Sequence, residues 1–247
     1  MREFHLFCLL SIIFLHASCS QPGRQTLTTQ AVDSIYKNVP AGSPDGIGRV
    51  YMGREIAHTM SHEAASWLDR PERLEEERTD LIIQALQSQI KPTDVIADIG
   101  AGSGYFSFRL VPMVPQGKVY AVDIQPEMLA IIQSKREKNR MYQVETVLGT
   151  ITDPKLPENT VDWVLLVDTY HEFSEPYAMM QGIYKALKST GKVVLLEYRA
   201  EDEAIPIKPL HKMTKEQIRK EMEVIGLKGI ERQDSLPWQH LLIFEKK

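Results

Sequence analysis

From Val95 onward, short runs of apolar residues alternate with longer stretches in which apolar positions recur every three or four residues. The runs predict strands at Val95–Ile99, Val119–Asp123, Gln143–Leu148, Val161–Asp168 and Val193–Tyr198. Between them, helices are predicted at Tyr105–Val111, Pro126–Lys138 and Pro176–Leu187, and Leu187-Lys188-Ser189-Thr190-Gly191-Lys192 reads as a turn. Val164-Leu165-Leu166-Val167 and Val193-Val194-Leu195-Leu196 have no polar break, as expected of strands covered on both faces. Regular strand and helix alternation implies right-handed crossovers and a parallel sheet. Thr214, with Gln217 three residues on, predicts a capped helix to Ile225 that Gly226 closes, and two more strands fit at Leu227–Gln233 and Gln239–Glu245.

The pattern is different before Lys91. Residues 51–89 are rich in helix formers, with helical stretches expected at Ile56–Trp67 and Pro71–Leu86, and they read as an N-terminal helical cap. Glu72, Glu75, Glu76 and Glu77 crowd the start of the second stretch, where the helix dipole favours negative charge. Residues 20–50 mix Gln, Thr, Ser, Pro and Gly without sustained periodicity and read as a flexible tether. In residues 1–19, Arg2 precedes an apolar run from Phe4 to Leu15, and the small residues Ala17 and Ser18 lead into Cys19, the order of an export signal. That run is shorter than the about 20 apolar residues of a membrane span.

Composition narrows the partners. The 247-residue chain is 43% hydrophobic and 25% charged, which fits one α/β domain with additions. A net charge of −4, with basic and acidic residues interleaved, provides no broad surface for nucleic acid. The two cysteines, Cys8 and Cys19, both lie in the signal segment, so the remaining chain has neither a disulfide framework nor a thiolate metal site.

The chemistry concentrates where the first long-range strand ends. Val95-Ile96-Ala97-Asp98-Ile99 runs into Gly100-Ala101-Gly102-Ser103-Gly104 and then a helix, so that the backbone can approach a ligand closely. A dinucleotide fingerprint counted from Gly100 needs its third glycine at 105, where Tyr105 stands, which disfavours an NAD-dependent oxidoreductase. Asp123 closes the next apolar run, nineteen residues after Gly104, and suits a ribose diol.

Together, Asp98, the three alternate glycines, Asp123 and the Leu187–Lys192 turn resemble the class I S-adenosylmethionine-dependent methyltransferases over roughly residues 80–247. The resemblance implies a Rossmann-like α/β fold at residues 90–247: a seven-stranded, mostly parallel sheet with an antiparallel last strand and helices on both faces. It also implies S-adenosyl-L-methionine as cofactor and a small-molecule methyl acceptor. Leu15-His16-Ala17-Ser18-Cys19 resembles a bacterial lipoprotein box, which would lipidate Cys19 and place the protein outside the cytoplasm on a membrane; an ordinary cleaved signal is the alternative.

By that resemblance, Gly100, Ala101, Gly102 and Gly104 wrap the methionine portion of the cofactor, and Asp98 helps hold its ammonium group or caps the loop. Asp123 takes the ribose hydroxyls, with Ile124 against the adenine. After the third strand Gly149-Thr150-Ile151 replaces the family's acidic residue, leaving backbone, Thr150 or Asp153 for the adenine amino group. Asp168-Thr169-Tyr170-His171-Glu172-Phe173 follows the fourth strand, where the fold presents residues to cofactor and transferring methyl group. Asp168 is a candidate there for both roles. His171 is the candidate base, its ordinary pKa of about 6.5 suiting proton transfer near neutrality, with a bracing or substrate-binding role as the alternative. Glu197, ending the fifth strand, is placed to orient the acceptor or to pair with Arg199. His171, Glu197 and His211 lack the spacing of a local zinc motif, and no metal is expected from sequence. A non-catalytic binding protein that keeps the cofactor fold is the alternative from another class.

Overall fold

The computed structural model describes residues 28–40, 42–233 and 235–247. The expected signal and Cys19 lie outside the described residues. Among the described residues no helix is long and apolar enough to cross a membrane.

The central sheet is built from β4 (Val95–Ile99), β5 (Lys118–Asp123), β6 (Val144–Leu148), β7 (Val161–Val167), β8 (Leu187–Arg199), β10 (Leu227–Gln233) and β11 (Gln239–Lys246). Their spatial order is β10-β11-β8-β7-β4-β5-β6, and the two-residue β9 (Lys212–Met213) pairs with β8 off this path. Neighbours from β6 to β8 run parallel, whereas β11 is antiparallel to both β8 and β10. Strand order reverses between β4 and β7, which opens a crevice above their carboxyl ends, the place where open α/β sheets hold ligands.

Helices α5 (Tyr105–Leu110), α6 (Pro126–Asn139), α7 (Pro176–Ala186) and α8 (Lys215–Ile225) follow β4, β5, β7 and β9. Proline opens α6 and α7, where its missing N–H leaves no intrahelical bond unmade. Thr214 caps α8 by accepting from the Gln217 amide at 3.1 Å, and Gly226 ends it at φ +94°. The Gln217 side chain turns instead to Glu221 at 2.7 Å, so only half of the capping pair forms. Two apolar layers cover the sheet: Ile183, Met222 and Phe244 belong to one, Leu110, Ile132 and Trp163 to the other.

Two regions differ from the sequence expectations. Leu187–Lys192 is not a free turn but the start of β8, and the pairing with β7 shifts register between Val161 and Trp163. Gly191 makes that irregularity possible, because a Cβ there would lie 2.9 Å from the Val161 carbonyl oxygen.

The larger correction concerns residues 20–89. The described part of the expected tether contains α1 (Thr29–Ser34), β1 (Tyr36–Asn38) and most of β2 (Gly46–Tyr51), and the expected cap begins with β3 (Arg54–Ala57). These strands form a three-stranded antiparallel sheet, β1-β2-β3. Met52 and Gly53, at φ +50° and +102°, form the two-residue link between β2 and β3, which suits the twist of a hairpin. Only short helices follow: α2 (Ala65–Leu68), α3 (Arg73–Glu77) and α4 (Thr79–Gln87). The helix expected over Pro71–Leu86 breaks at Arg78, which sits at φ +51°. Tyr51 and Ile56 are fully buried in the same apolar layer as Tyr170 and Met213, so this segment is part of the fold's core.

Candidate active site

The loop after β4 is folded by its own backbone. Gly100 and Ala101 both donate to the Val122 carbonyl, at 2.8 and 3.0 Å, and the Gly102 amide donates to Asp123 Oδ2 at 2.9 Å. Gly100 needs to be glycine twice over: φ is +70°, and a Cβ would come within 2.1 Å of Thr169 Oγ1. The second Asp123 oxygen accepts from the Gln125 amide at 2.9 Å. Burial pushes the Asp123 carboxyl above its ordinary range, opposed by the amides of Gln125 and Gly102.

Asp98 lies behind this loop. Its Oδ2 accepts from the Ser107 hydroxyl at 2.6 Å, and burial raises its pKa to about 6. Asp98 thus braces β4 against α5.

At the end of β7, Asp168 takes the left-handed conformation, φ +49°, unusual for a residue other than glycine. Its Oδ2 accepts from Gln239 Nε2 at 3.1 Å and lies 3.9 Å from Arg73 Nη2. Arg73 in turn donates to Glu77 at 2.8 Å, and Glu77 also accepts from Arg70 at 2.8 Å and from the Tyr198 hydroxyl at 3.0 Å. Asp168 Oδ1 is buried with no partner among the described residues. Burial, together with Glu77 and Glu197, holds this carboxyl well above the ordinary carboxylate range. A buried oxygen left free at the rim of a cavity is an acceptor waiting for a donor.

Beside it, the turn over Tyr170–Glu172 brings His171 and Glu172 to Glu197 of β8 and to His211. His171 Nδ1 meets Glu197 Oε2 at 2.5 Å, and its Nε2 stands 3.1 Å from His211 Nδ1. Glu197 Oε1 accepts from the Tyr170 and His171 amides at 2.8 and 3.3 Å. Burial pushes the His171 imidazole down to about 3 and the Glu197 carboxyl up to about 8, so the pair carries as little charge as possible. Of the three residues weighed as a metal set, His171 and His211 converge; Glu197 stands behind the ring, and Glu172 takes its place, with Oε1 3.8 Å from His171 Nε2 and 3.6 Å from His211 Nδ1.

One cavity of about 710 Å³ joins these groups. Gly100, Gly102, Asp123, Ile124, Asp168 and His171 line it, as do Arg73, Glu172, Tyr198 and His211. Asp98, Ala101, Gly104, Thr150 and Glu197 stand outside the lining. Ile151 lines it in place of Thr150, and with Ile124 it leaves large apolar surface exposed. Asp153, the other option for the adenine amino group, is turned to the Lys155 amide and ammonium, both at 2.8 Å.

Residues 58–68 close the cavity from the N-terminal side. Gln125 Nε2 donates to the Met60 carbonyl and its Oε1 accepts from the His62 amide, both at 2.9 Å, while Glu172 Oε2 accepts from the Met60 amide at 3.1 Å. Leu68 reaches over the glycine loop, where a Cβ on Gly102 would meet it at 2.4 Å.

Residues 90–242 match the profile of a family described as a methyltransferase domain. The chain is 32% identical over 117 residues to an uncharacterised methyltransferase-like protein of Schizosaccharomyces pombe, covering 47% of this chain and 43% of that protein. It is 28% identical over 109 residues to a demethylmenaquinone methyltransferase of Oceanobacillus iheyensis, covering 44% of this chain and 46% of that one. The matches thus span under half the length of these curated relatives. A solved S-adenosylmethionine-dependent methyltransferase of Aquifex aeolicus superposes with a TM-score of 0.70 at 23% identity, covering 75% of this chain and 98% of that one. With its reversed strand order, antiparallel last strand and glycine loop, the chain belongs to the methyltransferase domain family and has the class I, Rossmann-like fold of the S-adenosylmethionine-dependent methyltransferases.

Proposed function

We propose that the protein transfers the methyl group of S-adenosyl-L-methionine to a nucleophilic atom of a small molecule held in the same cavity. The observation that carries this reading is one cavity with the glycine loop and Asp123 on one side and the His171, Glu172 and His211 cluster also in its wall. The residues present fit the cofactor. Asp123 keeps lone pairs for two ribose hydroxyls beyond the amides it already accepts from. The unpartnered Asp168 Oδ1 suits an ammonium donor, and Ile124 and Ile151 offer apolar surface for a purine.

When bound, the cofactor supplies an electrophilic methyl carbon on a sulfonium. The protein's part is to position the acceptor in line and exclude water, which the strap over residues 58–68 and the apolar walls accomplish. His171 lines the cavity with its ring fixed by Glu197, and burial, which lowers its pKa to about 3, makes it a poor base near neutrality, so its role is to contact and orient the acceptor. Cavity size and a net charge of −4, with basic and acidic residues interleaved along the chain, favour a small acceptor over nucleic acid. The order of charge, apolar run and Cys19 in residues 1–19 supports a lipid-anchored exported form; replacing Cys19 by Ala should release the protein from the membrane fraction.

Calorimetric titration of the protein with S-adenosylmethionine, S-adenosylhomocysteine and NAD tests the cofactor. Saturable binding of the first two, with none of NAD, is the expected result. Binding of NAD alone, or of none, overturns it.

A further inference from the structure

We propose that His171, Glu172 and His211 form a binding site for a divalent transition metal ion, zinc foremost, in the wall of the cavity. The inference starts from three ligand atoms. His171 Nε2, Glu172 Oε1 and His211 Nδ1 lie within 4.8 Å of one another, with separations of 3.1, 3.6 and 3.8 Å. Ligand atoms held about 2.0–2.2 Å from a tetrahedral zinc ion stand roughly 3.3–3.6 Å apart, so only small adjustments would seat an ion among them. Two imidazoles and one carboxylate are a donor set that suits zinc, and three protein ligands leave a fourth position for solvent or substrate.

The surroundings support the ligands in the way metal sites require. Glu197 meets the far ring nitrogen of His171 at 2.5 Å, an acidic side chain behind the histidine that fixes the ring's orientation and turns the other nitrogen to the cavity. Glu197 is itself held by two backbone amides. The second oxygen of Glu172 accepts from the Met60 amide at 3.1 Å, which aims the first at the two histidines. The His171 carbonyl accepts from Arg54 Nη1 at 3.0 Å, fixing the turn that carries both residues. All three ligands line the cavity, so the open position faces the space assigned to the acceptor.

The site stands on its own geometry; its role rests on the methyl-transfer reading. In that role the ion holds the acceptor through a hydroxyl, enol or thiol and lowers the pKa of that group, whose proton leaves to solvent. The sequence hid the site because Glu172 and His211 are 39 positions apart.

The test uses the whole protein, stripped with chelator and then titrated with zinc chloride, beside a parallel titration with S-adenosylhomocysteine. One zinc per chain is expected, with Glu197→Gln binding it about 10- to 100-fold more weakly. His211→Ala is expected to abolish saturable binding while its circular dichroism stays that of the parent. Because Glu172 also holds Met60, cobalt substitution provides a second readout: the visible band of four-coordinate cobalt should appear in the parent and be lost in His211→Ala. Saturable binding of S-adenosylhomocysteine without zinc binding overturns the metal site and leaves the cofactor assignment standing. Zinc binding without S-adenosylhomocysteine binding supports the site and overturns the methyl-transfer reading. Undiminished zinc binding in His211→Ala overturns the assigned ligands.

Discussion

Arg54 grips Glu221 through two parallel hydrogen bonds, Nε to Oε1 at 2.9 Å and Nη2 to Oε2 at 3.0 Å, across 167 positions of sequence. The pair clamps the N-terminal β-hairpin to α8, and the remaining arm of Arg54 supports the His171 carbonyl. Glu221 is fully buried, so removing its partner strands a charge. Arg54→Met should destabilise the protein by about 3–5 kcal/mol in denaturant unfolding. The double variant Arg54→Met with Glu221→Met should lose clearly less than the two single losses combined. Additive losses would show that the pair is not the clamp.

Asp123 organises the glycine loop through Gly102 and the start of α6 through Gln125. Asp123→Asn keeps its shape but exchanges an acceptor oxygen for an amide donor beside backbone N–H groups. The expected loss in S-adenosylhomocysteine affinity is about 1.5–3 kcal/mol, roughly 10- to 150-fold, for hydrogen bonds to a charged group. Calorimetry measures it, with circular dichroism to check that the fold is kept. Unchanged affinity would remove Asp123 from the ribose site.

The parts of this molecule that were legible in sequence are those specified locally. The strand at Val95–Ile99, the glycine turn and the Thr214 cap each rest on residues within one turn of each other, and each appears where its pattern predicts. The Met52-Gly53 link is local as well, but a single glycine at the head of the helix formers of residues 51–89 does not by itself mark a hairpin. The Asp168, Arg73, Glu77, Tyr198 and Gln239 network joins four segments far apart in sequence, and only its Arg73–Glu77 pair, four positions apart on α3, follows a spacing rule. Arg78 breaks its helix without a proline or glycine to mark the place, since the exposed bonds to Asp80, at 2.8 and 2.9 Å, need only a short reach.

Asp98 gives the protein a testable pH dependence. Its native pKa of about 6 lies above the ordinary aspartate value of about 3.9, so the native state holds this proton more tightly than the unfolded chain. Its contribution to stability is full below pH about 4, declines as pH rises toward 6, and is lost above. The difference amounts to about 3 kcal/mol at most. Asp98→Asn keeps an acceptor for Ser107 and removes the titration, so its stability relative to the parent should rise between pH 4 and pH 6.5. A difference that stays flat across that window would mean Asp98 ionises normally in the fold.

Gln125 is the stitch between the two halves of the cavity wall. Its amide bonds both the Met60 carbonyl and the His62 amide, whereas Glu172 holds only the Met60 amide from the other side. Gln125→Ala removes two hydrogen bonds from the strap and leaves the sheet untouched, so local opening should become easier by about 1–2 kcal/mol. Amide exchange in residues 58–68 should then quicken roughly 5- to 30-fold, while the strands β4, β7 and β8 keep their protection. S-adenosylhomocysteine should slow exchange in the same segment if the strap closes over the cofactor. Faster exchange in the variant without any slowing by the ligand would make the strap a structural tie, with closure of the cavity resting on Leu68 and Trp67 instead.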